Sequence, residues 1–204
     1  MPKRRFFYDT EFIEYPCTID LISIGIVGED GSEFYGINWD CNFDKASQWV
    51  KDNVITQLPP KAHPAEDNPW MTHHQLGNAV LNFLKPSEAD PVELWGYYAD
   101  YDHVALCWLF GSMVDLPAGM PMFTLDVKQL ALSLGNPKIE IPNESHHDAL
   151  ADARWTKKAY EFLLRKEETI SDGFGSTWLK RCPECGKDSM VVIRPGKVQC
   201  NNCG

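Results

Sequence analysis

The chain has 204 residues, of which 44% are hydrophobic and 12% aromatic. That suffices for one average domain with a buried core plus a small appendage, and it excludes a disordered chain. A formal net charge of −10 excludes broad basic coating of duplex phosphate, but not an enzyme that holds a short strand in a cleft and neutralises charge with metal ions.

No apolar run nears the roughly 20 residues that span a bilayer. The basic start Met1-Pro2-Lys3-Arg4-Arg5 is followed by Asp9 and Glu11, too early for a signal-peptide core, so a cytoplasmic protein without a membrane partner is expected. Cys17, Cys41 and Cys107 are scattered, whereas Cys182, Cys185, Cys200 and Cys203 fall within the last 23 residues. An odd total of seven cysteines without a secretory signal points to a reducing compartment.

Residues 5–9 are apolar and aromatic and predict a buried strand ending on Asp9. Residues 18–28 are β-branched and largely alternating, Glu29-Asp30-Gly31 is a hairpin turn, and 32–39 make a third strand, so the opening is an antiparallel meander. Residues 44–54 predict a helix capped by Asp44, and 56–71 a loop rich in proline and polar groups. Thr72 is the expected N-cap of a helix to Leu84, and Pro86 to Pro91 a turn. Residues 92–98 predict a central strand and 102–111 a buried helix, with a break around Pro117–Pro121. Thr124 is expected to cap a helix through Leu134, followed by a loop over 135–146 and an amphipathic helix over 147–167. Three strands followed by alternating helix and strand make the main domain α/β, with a mixed central sheet flanked by helices.

The chemistry-bearing residues are scattered. Asp9 and Glu11 lie at i and i+2 of a strand, so both carboxylates face one side. Two carboxylates beside an apolar run are costly unless neutralised, and Mg²⁺ or Mn²⁺ does this through oxygen ligands. Asp102 follows the central strand where a helix opens, the edge at which α/β enzymes build sites; Asp100 competes with it, and helix capping is the plain use of either. His147 and Asp152 are five apart, and both can face one cleft if His147 sits just before the helix. Asp152 then offers a metal ligand, and an imidazole takes a proton near neutral pH. His146 is the adjacent alternative, and Asp148 suits the early-helix dipole.

In order and type, Asp-x-Glu on the first strand, Asp after a later strand and His-x₄-Asp on the last helix resemble the DEDDh exonucleases, the DnaQ-like branch of the ribonuclease H-like fold. The resemblance covers roughly residues 5–165. Phe6 to Glu14, Glu93-Leu94-Trp95, Tyr101 to Cys107 and His147 to Leu150 look closest to the polyadenylate-specific 3′-exoribonuclease AS group. It implies a metal-dependent 3′→5′ exonuclease in which Asp9, Glu11, Asp102 and Asp152 hold two Mg²⁺ or Mn²⁺ ions and His147 is the general base. It also implies that Thr10 and Phe12 meet the substrate, Phe12 stacking on the terminal nucleotide, although a core role suits Phe12 equally. The product would be a nucleoside 5′-monophosphate, AMP if the closer resemblance holds. Many members carry Asn four residues before the second-motif Asp, where this chain has Tyr98. The aromatics Trp95, Tyr97, Tyr98 and Tyr101 could line the cleft, but most of them are expected to pack into the core, and His63, His73 and His74 to lie at the surface.

The implied partner is the 3′ end of single-stranded RNA; DNA, or a non-catalytic nucleic-acid-binding adaptor, is the alternative. The resemblance also admits a homodimer. In the tail, Cys182-Pro183-Glu184-Cys185 and Cys200-Asn201-Asn202-Cys203 are paired knuckles separated by 14 residues, a pattern similar to a zinc ribbon in which four thiolates hold one structural Zn²⁺. The expected organisation is an exonuclease domain over 1–168, a linker over 169–177 and a Cys₄ zinc ribbon over 178–204.

Overall fold

A computed structural model describes residues 4–64, 68–140, 146–173, 180–181, 188–194 and 197–200, those after 166 by their backbone alone. Residues 1–163 and 164–204 form two compact units. In the first unit, β1 (Arg4–Tyr15), β2 (Thr18–Gly28) and β3 (Glu33–Asn38) form an antiparallel meander. There follow α1 (Gln48–Asn53), β4 (Trp70–Met71), α2 (His73–Leu84), β5 (Val92–Gly96), α3 (Asp100–Trp108), β6 (Leu125–Asp126), α4 (Val127–Ser133) and α5 (Ala149–Gly173). The sheet order is β4-β3-β2-β1-β5-β6, and β2 runs against the other strands. In the second unit, β7 (Lys180–Arg181), β8 (Asp188–Arg194) and β9 (Lys197–Cys200) form a separate antiparallel sheet.

Alternation along β1 sends its side chains to two cores. Phe6 and Tyr8 pack with Ile24, Leu94, Leu76 and Val80 of α2, and Leu106 of α3. On the other face Ile13 and Ile22 join Ala46 and Val54. There Phe7 meets Tyr160 of α5 with ring centroids 5.1 Å apart. Helices therefore cover both faces of a mixed sheet.

Several elements differ from the sequence pattern. β1 continues to Tyr15 rather than ending at Asp9, because residues 10–15 keep pairing with β2 and Ile13 is buried. The expected helix over 44–54 is broken: residues 43–45 form a 3₁₀ turn, and α1 starts after Ser47, whose hydroxyl accepts from the Val50 N–H at 3.2 Å. The stretch read as loop over 56–71 ends in β4, where Trp70 is buried and paired with Ile37. Thr72 caps α2 as expected, in a reciprocal box with Gln75. β5 stops at Gly96, and α3 spans 100–108 rather than 102–111.

Thr124 does not cap a helix. Its hydroxyl meets Tyr8 Oη at 2.5 Å and His103 Nδ1 at 3.1 Å, and Asp126 caps α4 instead, accepting from Lys128 and Gln129 N–H. α5 begins at Ala149 with His147 just before it, and runs past 167 through Ser171–Gly173, where the sequence reads as linker. Part of the 135–146 loop and Cys182, Cys185 and Cys203 lie outside the described residues, as does the Cys200 side chain. No helix among the described residues is long and apolar enough to cross a membrane.

Candidate active site

A cleft of about 620 Å³ opens where β1, the segment around α1 and the start of α5 meet, and Asp9, Glu11, Asp102, His147 and Asp152 all line it. β1 presents Asp9 and Glu11 on the face that α5 covers. Across the ladder Asp9 stands opposite Gly25 and Glu11 opposite Ser23. A Cβ at Gly25 would lie 2.4 Å from the backbone of Ala149, so the missing side chain is what lets α5 start directly on the sheet. Asp152 then sits one turn into α5, beside the strand carboxylates.

Asp148 caps this helix, its carboxylate accepting from Ala151 N–H at 2.8 Å. The Asp152 carboxylate accepts from the His147 backbone N–H at 2.9 Å, which couples the histidine's position to the helix. His147 takes a left-handed backbone, φ 65°, and its ring packs edge-on against Trp49 with centroids 4.8 Å apart. Gln57 donates to the His146 carbonyl at 2.8 Å, tying the segment after α1 to the loop before α5. Both histidines line the cleft, but His147 shares a tight cluster: ligand atoms of Glu11, His147 and Asp152 all lie within 4.8 Å of one another.

Asp102 is in the first turn of α3, where the cap residue Ala99 offers no side chain, and Asp100 is exposed. Asp102 is not used as a cap. One of its oxygens accepts from both the N–H and the hydroxyl of Thr10, at 2.8 and 2.6 Å. The Thr10 hydroxyl is thus directed to a carboxylate. Phe12 lines the cleft half-buried and stacks on Tyr101 with centroids 5.7 Å apart. Of the aromatics expected in the core, Trp95 and Tyr97 are half-buried, while Tyr98 and Tyr101 are exposed, because β5 ends at Gly96 and Tyr98 turns out of the sheet with φ 59°. His63 and His74 are exposed; His73 is half-buried, its Nε2 at 3.0 Å from the Trp108 carbonyl oxygen.

Packing this many acids together changes their chemistry. Burial pushes the Asp9 carboxyl well up, and the charges of Asp102, Glu11 and Asp152 push it further. Glu11 is raised to about 8 by burial and by Asp152 and Asp102. Burial raises Asp102 to about 6, with the two Thr10 bonds pulling it back. The donor set fits divalent cations: hard carboxylate oxygens with one imidazole, and a repulsion that positive charge would relieve.

Gly25, Trp49, Gln57, Trp155 and Thr156 were not legible as site residues. A glycine inside a β-branched strand was the one local signal among them.

Residues 4–164 match the family model described as Rv2179c-like, the 3′-5′ exoribonuclease Rv2179c-like domain. The 3′-5′ exoribonuclease Rv2179c of Mycobacterium tuberculosis H37Rv is 43% identical over 164 residues, which are 80% of this chain and 95% of that protein. The 3′-5′ exoribonuclease MT2234.1 of Mycobacterium tuberculosis CDC 1551 matches to the same extent, 43% over 164 residues. Among solved structures, Pop2p of S. pombe in its Mg²⁺- and Mn²⁺-bound form superposes with a TM-score of 0.48 at 12% identity, covering 84% of this chain and 86% of that one. The chain belongs to the Rv2179c-like 3′-5′ exoribonuclease domain family.

Proposed function

We propose that this protein is a metal-dependent 3′→5′ exoribonuclease that removes nucleoside 5′-monophosphates from the 3′ end of single-stranded RNA. The observation that carries this is the convergence of Asp9, Glu11, Asp102 and Asp152 with His147 in one cleft, from segments far apart in the chain. Family membership supports the direction and the substrate class. Asp9, Glu11, Asp102 and Asp152 would hold two Mg²⁺ or Mn²⁺ ions. When bound, such ions activate water and stabilise charge on the leaving 3′ oxygen.

The chain's own part is positional. Thr10 fixes Asp102, the α5 cap places Asp152, and Trp49 orients the His147 ring. The His147 imidazole takes the proton from the water that attacks the terminal phosphorus. The P–O3′ bond breaks, the leaving O3′ takes a proton from solvent water to become the 3′ hydroxyl of the shortened strand, and the nucleotide leaves with its 5′ phosphate. Phe12 stacks on the terminal base, which tolerates any sequence. Preference for adenylate rests on the resemblance to the polyadenylate-specific group, and its product would be AMP.

The tail from residue 178 is read as a zinc ribbon on Cys182, Cys185, Cys200 and Cys203, after an exonuclease domain over 1–168 and a linker. A cytoplasmic location and a homodimer complete the reading.

The test is product analysis. The full chain with Mg²⁺ is given oligo(A), oligo(U) and oligo(dA), each labelled at either end. Release of nucleoside 5′-monophosphate from RNA 3′ ends, abolished by EDTA, is expected. Equal turnover of oligo(dA) would reassign the substrate to DNA, and folded Asp9→Ala or His147→Ala protein with full turnover would remove the site assignment. Metal analysis finding no zinc would remove the ribbon.

A further inference from the structure

The cleft mouth carries two aromatic pairs built alike. Phe12 lines the cleft and stacks on Tyr101 outside it, centroids 5.7 Å apart and planes at 23°. Tyr97 lines the cleft and meets Tyr98 outside it edge-on, at 4.8 Å and 74°. In each pair the inner ring is half-buried and the outer ring stands in solvent, Tyr98 at 65% and Tyr101 at 47% exposure. The outer rings are three residues apart where β5 passes into α3.

Their placement is stiff. Tyr101 directly precedes Asp102, and Phe12 is two residues after Thr10, so the two Thr10–Asp102 hydrogen bonds fix the Phe12–Tyr101 stack to the catalytic carboxylates. The Ala99 N–H, next to Tyr98, donates to Asp126 at 3.0 Å. Tyr98 also holds a left-handed backbone, φ 59°, which disfavours a bulky residue and persists only where its surroundings impose it.

Charge points to the same role for these rings. Among the described residues no lysine or arginine lines the cleft, and the chain carries a net charge of −10, so phosphate attraction supplies little grip. Stacking on bases needs no charge.

We infer that Tyr98 and Tyr101 form an aromatic rim that stacks on bases beyond the nucleotide next to the one being released, so that the protein prefers RNA longer than a dinucleotide without reading its sequence. This rests on the exoribonuclease reading. The rim acts on KM for strands long enough to reach it.

The experiment measures kcat/KM of the full chain on an octanucleotide and a dinucleotide RNA, for wild type, Tyr98→Asn, Tyr101→Leu and the double variant. Asparagine suits the left-handed backbone, and leucine keeps apolar contact with Phe12, so both variants fold. The expected result is a fall of roughly tenfold in the octanucleotide-to-dinucleotide ratio for each substitution, carried by KM, and a larger fall for the double variant. An unchanged ratio overturns the inference. So does an unchanged ratio accompanied by conversion of a dimer to a monomer, which would make the rim a contact between two copies. Wild-type protein that releases no nucleotide from either RNA overturns the exoribonuclease reading itself, and this inference with it.

Discussion

Thr10 and Asp102, 92 residues apart, are joined through a single carboxylate oxygen that accepts two hydrogen bonds, from the Thr10 N–H and from its hydroxyl. The pair ties β1 to α3 and sets where the Asp102 charge sits. Thr10→Val keeps shape and removes the hydroxyl donor. It should lower stability by about 1–3 kcal/mol, since a buried charged acceptor loses a partner. Those bonds hold the Asp102 carboxyl down against burial. The activity–pH profile should therefore move upward in pH, and Thr10→Ser should restore it. Urea unfolding and a pH series of kcat/KM read the two effects; a profile that does not move would deny Thr10 this role.

The Gly25–Ala149 contact sets the distance between α5 and the sheet. Gly25→Ala puts a methyl 2.4 Å from backbone that cannot give way, so the helix must lift. A cost of roughly 1–3 kcal/mol is expected from overpacking. Activity should fall further than stability explains, because Asp152 and His147 ride on the displaced segment. A variant as active and as stable as wild type would show that this approach is not needed.

His147 combines an imidazole with a left-handed backbone. His147→Gly relieves the backbone and deletes the ring. Thermal stability should hold or rise slightly, by about 1 kcal/mol, while turnover drops by roughly 10²- to 10⁴-fold, the usual contribution of a general base. Loss of stability together with activity would instead make the Trp49–His147 ring contact structural.

The acid cluster makes stability depend on pH and on cations. A carboxyl raised on folding binds its proton more tightly in the folded chain. The stability it lends is present below its ordinary value of 4.5 for Glu11 and is lost as pH rises through about 8. Asp102 behaves likewise, up to about 6. Metal-free protein should therefore melt at lower temperature at about pH 8 than at about pH 5. Mg²⁺ or Mn²⁺ should raise the melting temperature more at the higher pH. Differential scanning fluorimetry with and without EDTA measures this; equal metal effects at both pH values would count against cation binding by these carboxylates.

How far the residues could be read in advance depended on how local their physics was. The period-2 pattern of 18–28 and the Thr72–Gln75 box are decided within a few residues, and β2 and the start of α2 fall where they indicate. Asp9 and Glu11 share a face because strand geometry alone requires it. Where a non-local partner competes, the pattern misleads. Thr124 looks like a cap but bonds Tyr8 and His103, and Asp126 takes its place; β1 looks finished at Asp9 but goes on because β2 continues beside it.

The kinds of ligand, their order along the chain and the family they resemble are properties of composition and spacing, so the sequence carries them. Which of Asp100 and Asp102 enters the cleft, how Thr10 is used, how closely α5 approaches β1 and which tyrosines face solvent depend on contacts between distant segments. Packing settles those contacts: a carboxylate is oriented by donors far away in the chain, and a helix stops where the backbone beneath it leaves room, as it does at Gly25.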